Sequence, residues 1–160
     1  MFERIVVGLD GSGVSEEALR AGIDLARRLG VPLHLIRVAD LSVIPWGASE
    51  AAEAYAALSR EMAEEKAEAR RYLDEVAKPL LGEGLPVTTE VRSGFAAREL
   101  AEAVSPSDLL VVASHGRHGL ARWFLGSVAE DVARRAPAPV LIVRAGGVGG
   151  RRSEVGRGGS

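Results

Sequence analysis

"SDLLVVASHGRHGLARWFLGSVAEDVARRA", residues 107–136, decides how the chain is read. "DLLVVAS" (108–114) is a short apolar run, the pattern of a strand buried on both faces. The segment after Gly126-Ser127 carries helical spacing over 127–136, and "PVLIVR" (139–144) is the next strand. Between strand and helix lie three glycines and two histidines around Trp123, Phe124 and Leu125. A buried strand that opens into bare backbone and imidazole, then enters a helix through Gly-Ser, suits a small, negatively charged ligand. A helix start presents unpaired N–H groups and partial positive charge.

The same alternation runs back to the N-terminus. "RIVVGLD" (4–10) is a central parallel strand ending in Gly and Asp. Val14, Ala18, Ala21, Leu25 and Leu29 then recur at helical spacing, with Glu16 and Glu17 in the first turn and Gly30 as the C-cap. "PLHLIRVAD" (32–40) is a second strand, followed by a loop over 41–54. A long helix from about Ala52 to Leu81 places Tyr55, Leu58, Met62, Ala69, Tyr72, Leu73, Val76 and Leu80 on one stripe. Residues 85–94 form a third strand, at an edge, and 95–104 a short helix. Strands alternating with helices give an α/β fold, a single-domain open parallel five-stranded sheet with helices on both faces. Residues 1–145 form this domain, and the Gly/Arg-rich stretch 146–160 is a disordered tail.

Bulk properties exclude several functions. The chain has 160 residues, 47% hydrophobic and 26% charged, with a net charge of −2. That is ordinary globular composition without the basic excess of a nucleic-acid binder, so nucleic acid is not an expected partner. No cysteine is present, which removes disulfides and thiolate chemistry. "MFERIVVGLDGS" does not read as a signal peptide, and no apolar run reaches the length of a membrane span. No P-loop, dinucleotide fingerprint or nucleophile elbow is present, and no nucleophile–base pair stands out. His34, His115 and His118 lack carboxylates at metal-ligand spacing, so no metal site is expected.

The remaining candidates cluster at the ends of the first and fourth strands. If those strands are neighbours, both loops line one crevice. Gly116 and Gly119 allow close backbone approach to a phosphate, and His115 and His118 can donate to it. Ser127 is either an N-cap or a hydroxyl donor to an anion. Asp10 can accept from an adenine amino group or a ribose hydroxyl, hold Mg²⁺ through water, or cap the following turn. Val38 is either a wall for a purine or core.

These residues resemble the universal stress proteins of the UspA type over residues 2–144. "RIVVGLDGS" resembles the family's opening strand and Asp loop, and "PVLIVR" its closing strand. Gly116, nine residues from Arg117 to Leu125, and then Gly126-Ser127 resemble the phosphate motif of its ATP-binding branch. Two positions depart: Ala113 stands where the branch has glycine, and Ala129 where it has a hydroxyl residue. The resemblance implies strand order 3-2-1-4-5, as in adenine nucleotide alpha hydrolase-like folds. It implies adenine and ribose contacts near Leu9, Asp10 and Val38, and phosphate contacts near Ala113, His115, Gly116, Gly126, Ser127 and Val128. It implies ATP as ligand, with Mg²⁺ as its companion, and a cytoplasmic stress-response role with at most slow ATP hydrolysis. It also implies a homodimer, and an edge strand at 139–144 offers the pairing surface. The alternative is a universal stress protein that binds no nucleotide and acts through protein–protein contacts.

Overall fold

The computed structural model describes residues 1–40, 51–115 and 126–145, without the side chains of residues 40, 51, 52, 54, 115 and 145. The strands are β1 (Arg4–Leu9), β2 (Leu33–Asp40), β3 (Val87–Gly94), β4 (Asp108–His115) and β5 (Val140–Ala145). The helices are α1 (Gly13–Leu29), α2 (Ala51–Gly82), α3 (Ala96–Glu102) and α4 (Ser127–Arg135). The strands form one sheet in the order β3-β2-β1-β4-β5, and every neighbouring pair is parallel. The strand order therefore reverses between β1 and β4, the topological switch point of an open sheet. No helix among the described residues is long and apolar enough to cross a membrane.

Alternation along β1 builds two cores. Ile5, Val7 and Leu9 face one way, into a cluster with Ala18 and Ala26 of α1 and Leu73 and Leu80 of α2. Val6 faces the other way, into a cluster with Ala97 and Leu100 of α3 and Ala129 and Val132 of α4. Ile5, Val6 and Val7 are fully buried, as a central parallel strand requires. α1 approaches β1 so closely that a Cβ on Gly22 would lie 2.4 Å from Val7 Cγ2. The glycine is needed there for space rather than for its backbone freedom.

One ion pair ties the strand starts together. The Arg4 guanidinium donates to both Asp108 carboxylate oxygens, at 3.0 and 2.7 Å, and Ser105 N–H donates to the same carboxylate at 2.8 Å. Burial pushes the Asp108 carboxyl up, but the hydrogen bonds from Arg4 and Ser105 outweigh it and leave the pKa below the ordinary aspartate value. Beside it in β2, His34 Nε2 donates to Glu90 at 3.1 Å and Nδ1 accepts from the Thr88 hydroxyl at 2.7 Å. Burial pushes the His34 imidazole down, against the opposing pull of Glu90, so the ring favours its neutral form.

Two helix faces differ from the sequence reading. Leu29 is 43% exposed, and α1 buries Ser15, Ala18, Gly22 and Ala26 instead. The small residues face the sheet because the helix lies so close to it. In α2, Tyr55 is 73% exposed, whereas Ala69, Leu73, Ala77 and Leu80 are buried. The helix has 32 residues and so runs about 48 Å, while an eight-residue strand spans about 26 Å. Its N-terminal half outruns the sheet, and an Ala/Glu-rich sequence keeps it helical without a core.

Candidate functional site

Where β1 and β4 diverge, their carboxyl ends open into a cleft of about 290 Å³. Gly8, Leu9 and Asp10 supply one side, and Val112, Ala113 and Ser114 the other. Val38 of β2 and Ala96 and Leu100 of α3 form an apolar wall, and Val14 and Ser15 enter from the start of α1. Gly126 through Ala129, the beginning of α4, close the far end.

The β1–α1 turn is held by its own polar groups. Asp10 Oδ1 accepts from Ser12 N–H at 2.8 Å, the self-bonded turn that aspartate favours. Ser12 is the N-cap of α1, and its Oγ accepts from Ser15 N–H at 3.3 Å. The buried Ser15 hydroxyl donates to Ser12 C=O at 2.9 Å and accepts from Asp10 N–H at 3.4 Å. Asp10 thus braces the turn, as its capping reading has it, and also lines the cleft.

The other side is tied across twelve positions of sequence. Ser114, 3% exposed, accepts on Oγ from Gly126 N–H at 3.0 Å. This bond sets the start of α4 against the end of β4. Gly126, rather than Ser127, is the N-cap, with φ −55 and ψ 146, and among the described residues no side chain caps the helix. Ser127 is an exposed first-turn residue that lines the cleft. The capping role for Ser127 is therefore corrected: its backbone is already helical, and a cap must stand one position earlier. An uncapped helix start directs first-turn N–H groups and the positive end of the dipole into the cleft.

Leu9, Asp10, Val38, Ala113, Gly126, Ser127 and Val128 thus all line one space. Leu9 and Val38 also pack into the two cores, as wall residues do. The His115 backbone pairs with Ala145 at the last rung of β4 and β5. Gly116 lies outside the described residues, as do Gly119, His118 and the Trp123–Leu125 anchor. Ala113 sits in the β4 ladder opposite Val143, in extended backbone that tolerates a methyl group. Ala129 is 2% exposed and packs into the α3–α4 core. Sequence reasoning missed Ser114, Ser15 and Leu100. For Ser114 the signal was present: a lone polar residue closing an apolar strand run needs a partner.

The comparisons with known proteins agree with this architecture. The sequence model of the universal stress protein family matches residues 1–144. The universal stress protein MJ0531 of Methanocaldococcus jannaschii is 34% identical over 146 residues, covering 90% of this chain and 83% of that protein. The chain spans about half the length of several mycobacterial universal stress proteins that it also matches. Among solved structures, UspA of Lactobacillus plantarum superposes with a TM-score of 0.74 at 22% identity, over 89% of this chain and 98% of that one. A universal stress protein in complex with cAMP superposes with a TM-score of 0.55 at 25% identity, over 89% of this chain and 97% of that one.

Proposed function

The chain belongs to the universal stress protein family, and on that premise we propose that its cleft binds an adenine nucleotide, ATP, as a regulatory module of the stress response. The observation that carries the reading is the uncapped start of α4, fixed by Ser114 at one end of the switch-point cleft. Such a helix start lacks a partner for its first N–H groups, and a phosphate supplies one.

The roles follow from the walls. Val38 and Leu100 offer an apolar face to the purine, and Leu9 and Asp10 lie beside the adenine and ribose. Gly126, Ser127 and Val128 receive phosphate, together with Ala113 and the adjoining His115 and Gly116. Mg²⁺ accompanies the phosphates. The two departures from the ATP-binding pattern are mild. Ala113 occupies ordinary strand backbone, and the hydroxyl absent at Ala129 forgoes one neutral hydrogen bond, about 1 kcal/mol. Hydrolysis is at most slow. A relative's complex with cAMP supports an adenine nucleotide as the ligand class.

The protein works in the cytoplasm as a homodimer paired through β5. That strand is the sheet edge next to β4, with Leu141 38% exposed. Freshly purified protein should release an adenine nucleotide on denaturation, identified by mass spectrometry. Protein that is empty, and stays empty after incubation with ATP and Mg²⁺, contradicts the proposal.

A further inference from the structure

On the opposite face of the sheet, a second cleft of about 290 Å³ opens between the β1–α1 turn and α2. Arg37 enters it from β2, and Asp10 and Gly11 from the turn after β1. Glu68, Arg71, Tyr72 and Glu75 enter from α2, at the spacing that puts residues on one helix face.

The arginine is held in place. Its guanidinium lies over the Tyr72 ring, 5.2 Å from the centroid. Gly11 also stands close to it, at φ 81, where a Cβ would come within 3.3 Å of Arg37 Nη1. A flat fork laid on a ring beside bare backbone is organised in advance for bidentate binding of a carboxylate.

Four of the five charges that line this cleft are unspent; the fifth, Asp10, is engaged in its own turn. Among the described residues, Arg37, Glu68, Arg71 and Glu75 enter no ion pair and no side-chain hydrogen bond. Other surface charges of the same protein do pair, as in Arg20–Glu17, Arg28–Asp24 and Arg98–Glu102. Beneath them the Tyr72 hydroxyl is buried with no hydrogen-bond partner among the described residues. Burial pushes that phenol up, with Glu16 adding to the effect, so it keeps its proton.

The balance of charge selects the ligand. Two guanidiniums share the cleft with three carboxylates. A bare oxyanion meets the acids, and a bare cation meets the arginines. A small molecule carrying both signs satisfies both sets. We propose that this cleft binds a zwitterion of the free α-amino acid class, its carboxylate on the Arg37 fork beside Arg71 and its ammonium toward Glu68 and Glu75.

The test is an amide NMR titration of the nucleotide-free full chain, so its outcome is independent of the nucleotide reading. L-Alanine is compared with propionate and ethylammonium, its two charged halves, and with inorganic phosphate. L-Alanine should shift Gly11, Arg37 and Tyr72 saturably and bind at least about tenfold tighter than either half. Arg37→Gln should abolish the response. Arg71→Gln, at an exposed helix position that leaves packing untouched, should weaken it several-fold. The proposal is overturned by an absence of saturable shifts, by propionate or phosphate matching L-alanine, or by L-alanine affinity unchanged in Arg71→Gln.

Discussion

Gly126 N–H donates to Ser114 Oγ at 3.0 Å, so the N-cap of α4 hangs from a buried side chain near the end of β4. The bond fixes where α4 aims its N-terminus. Ser114→Ala removes the acceptor and leaves the amide without a partner. Stability should fall by about 1 kcal/mol, the usual worth of one such bond. Nucleotide affinity should fall with it, because the helix start is no longer held at the cleft. Urea denaturation and calorimetry on the same preparation read both effects.

Gly22→Ala tests the close approach of α1 to the sheet. The new methyl would lie 2.4 Å from Val7 Cγ2, in a fully buried position with nowhere to yield. Overpacking of this kind costs about 1–3 kcal/mol. Adding Val7→Ala relieves the clash, so the double variant should lose less than the sum of the singles. Strictly additive losses in denaturant melts would place the cost elsewhere.

The pH dependence of stability should show two windows. His34 has a folded pKa below its ordinary value of 6.5, so the unfolded chain binds more protons between the two values. Its contribution is complete above pH 6.5 and is lost as the pH falls from there toward the folded pKa. Asp108 also has a lowered folded pKa, so its contribution is complete above its ordinary value of 3.8 and is lost as pH falls through the lower folded value. In a stability–pH series, His34→Gln should flatten the first window and leave the second. An unchanged first window in that variant would assign it to another group.

The five strands and their parallel pairing were legible because buried apolar runs such as "RIVVGL" and "DLLVV" fit a central parallel strand so well. The strand order was not legible from spacing and came through family resemblance. Helix faces were read less well where packing overrode hydropathy. At α1 the sheet selected Gly22 and Ala26 over Leu29, because only small residues permit that approach. Tyr55 was assigned to a core stripe, but α2 outruns the sheet there. At the site, Leu9, Asp10, Ala113, Gly126 and Ser127 were visible as strand and helix ends, whereas Leu100 was not. Of those that brace the cleft, Ser15 bonds within its own turn to Asp10 and Ser12, and Ser114 bonds Gly126 twelve positions on. The lone serine closing β4 signals that it needs a partner, but a bond between distant segments leaves no local pattern to say which. The stacked Arg37–Tyr72 pair joins β2 to α2 and was hidden for the same reason.

The proposed edge pairing of β5 has a clean probe. Leu110 N–H donates to Pro139 C=O, so alternation along β5 turns the peptide groups of 139, 141 and 143 toward β4 and those of 140 and 142 outward. Ile142→Pro therefore deletes an outward donor while sparing the β4–β5 ladder. Light scattering should report a shift from dimer toward monomer with little loss of fold. A dimer of unchanged affinity would move the interface away from β5.

Isothermal titration of ATP and Mg²⁺ into nucleotide-free protein, run in parallel on Gly126→Ala, tests the central claim most directly. Among the described residues a Cβ at Gly126 would meet only Ser114 Oγ, at 3.7 Å, and the backbone angles there are ordinary, so the described fold accepts the methyl. A phosphate seated on the start of α4 does not. The wild type should give saturable heat with micromolar or weaker affinity, and Gly126→Ala should bind at least about tenfold more weakly, a loss of about 1.4 kcal/mol. No heat from the wild type at millimolar ATP, or equal affinity in the two proteins, would contradict the nucleotide cleft.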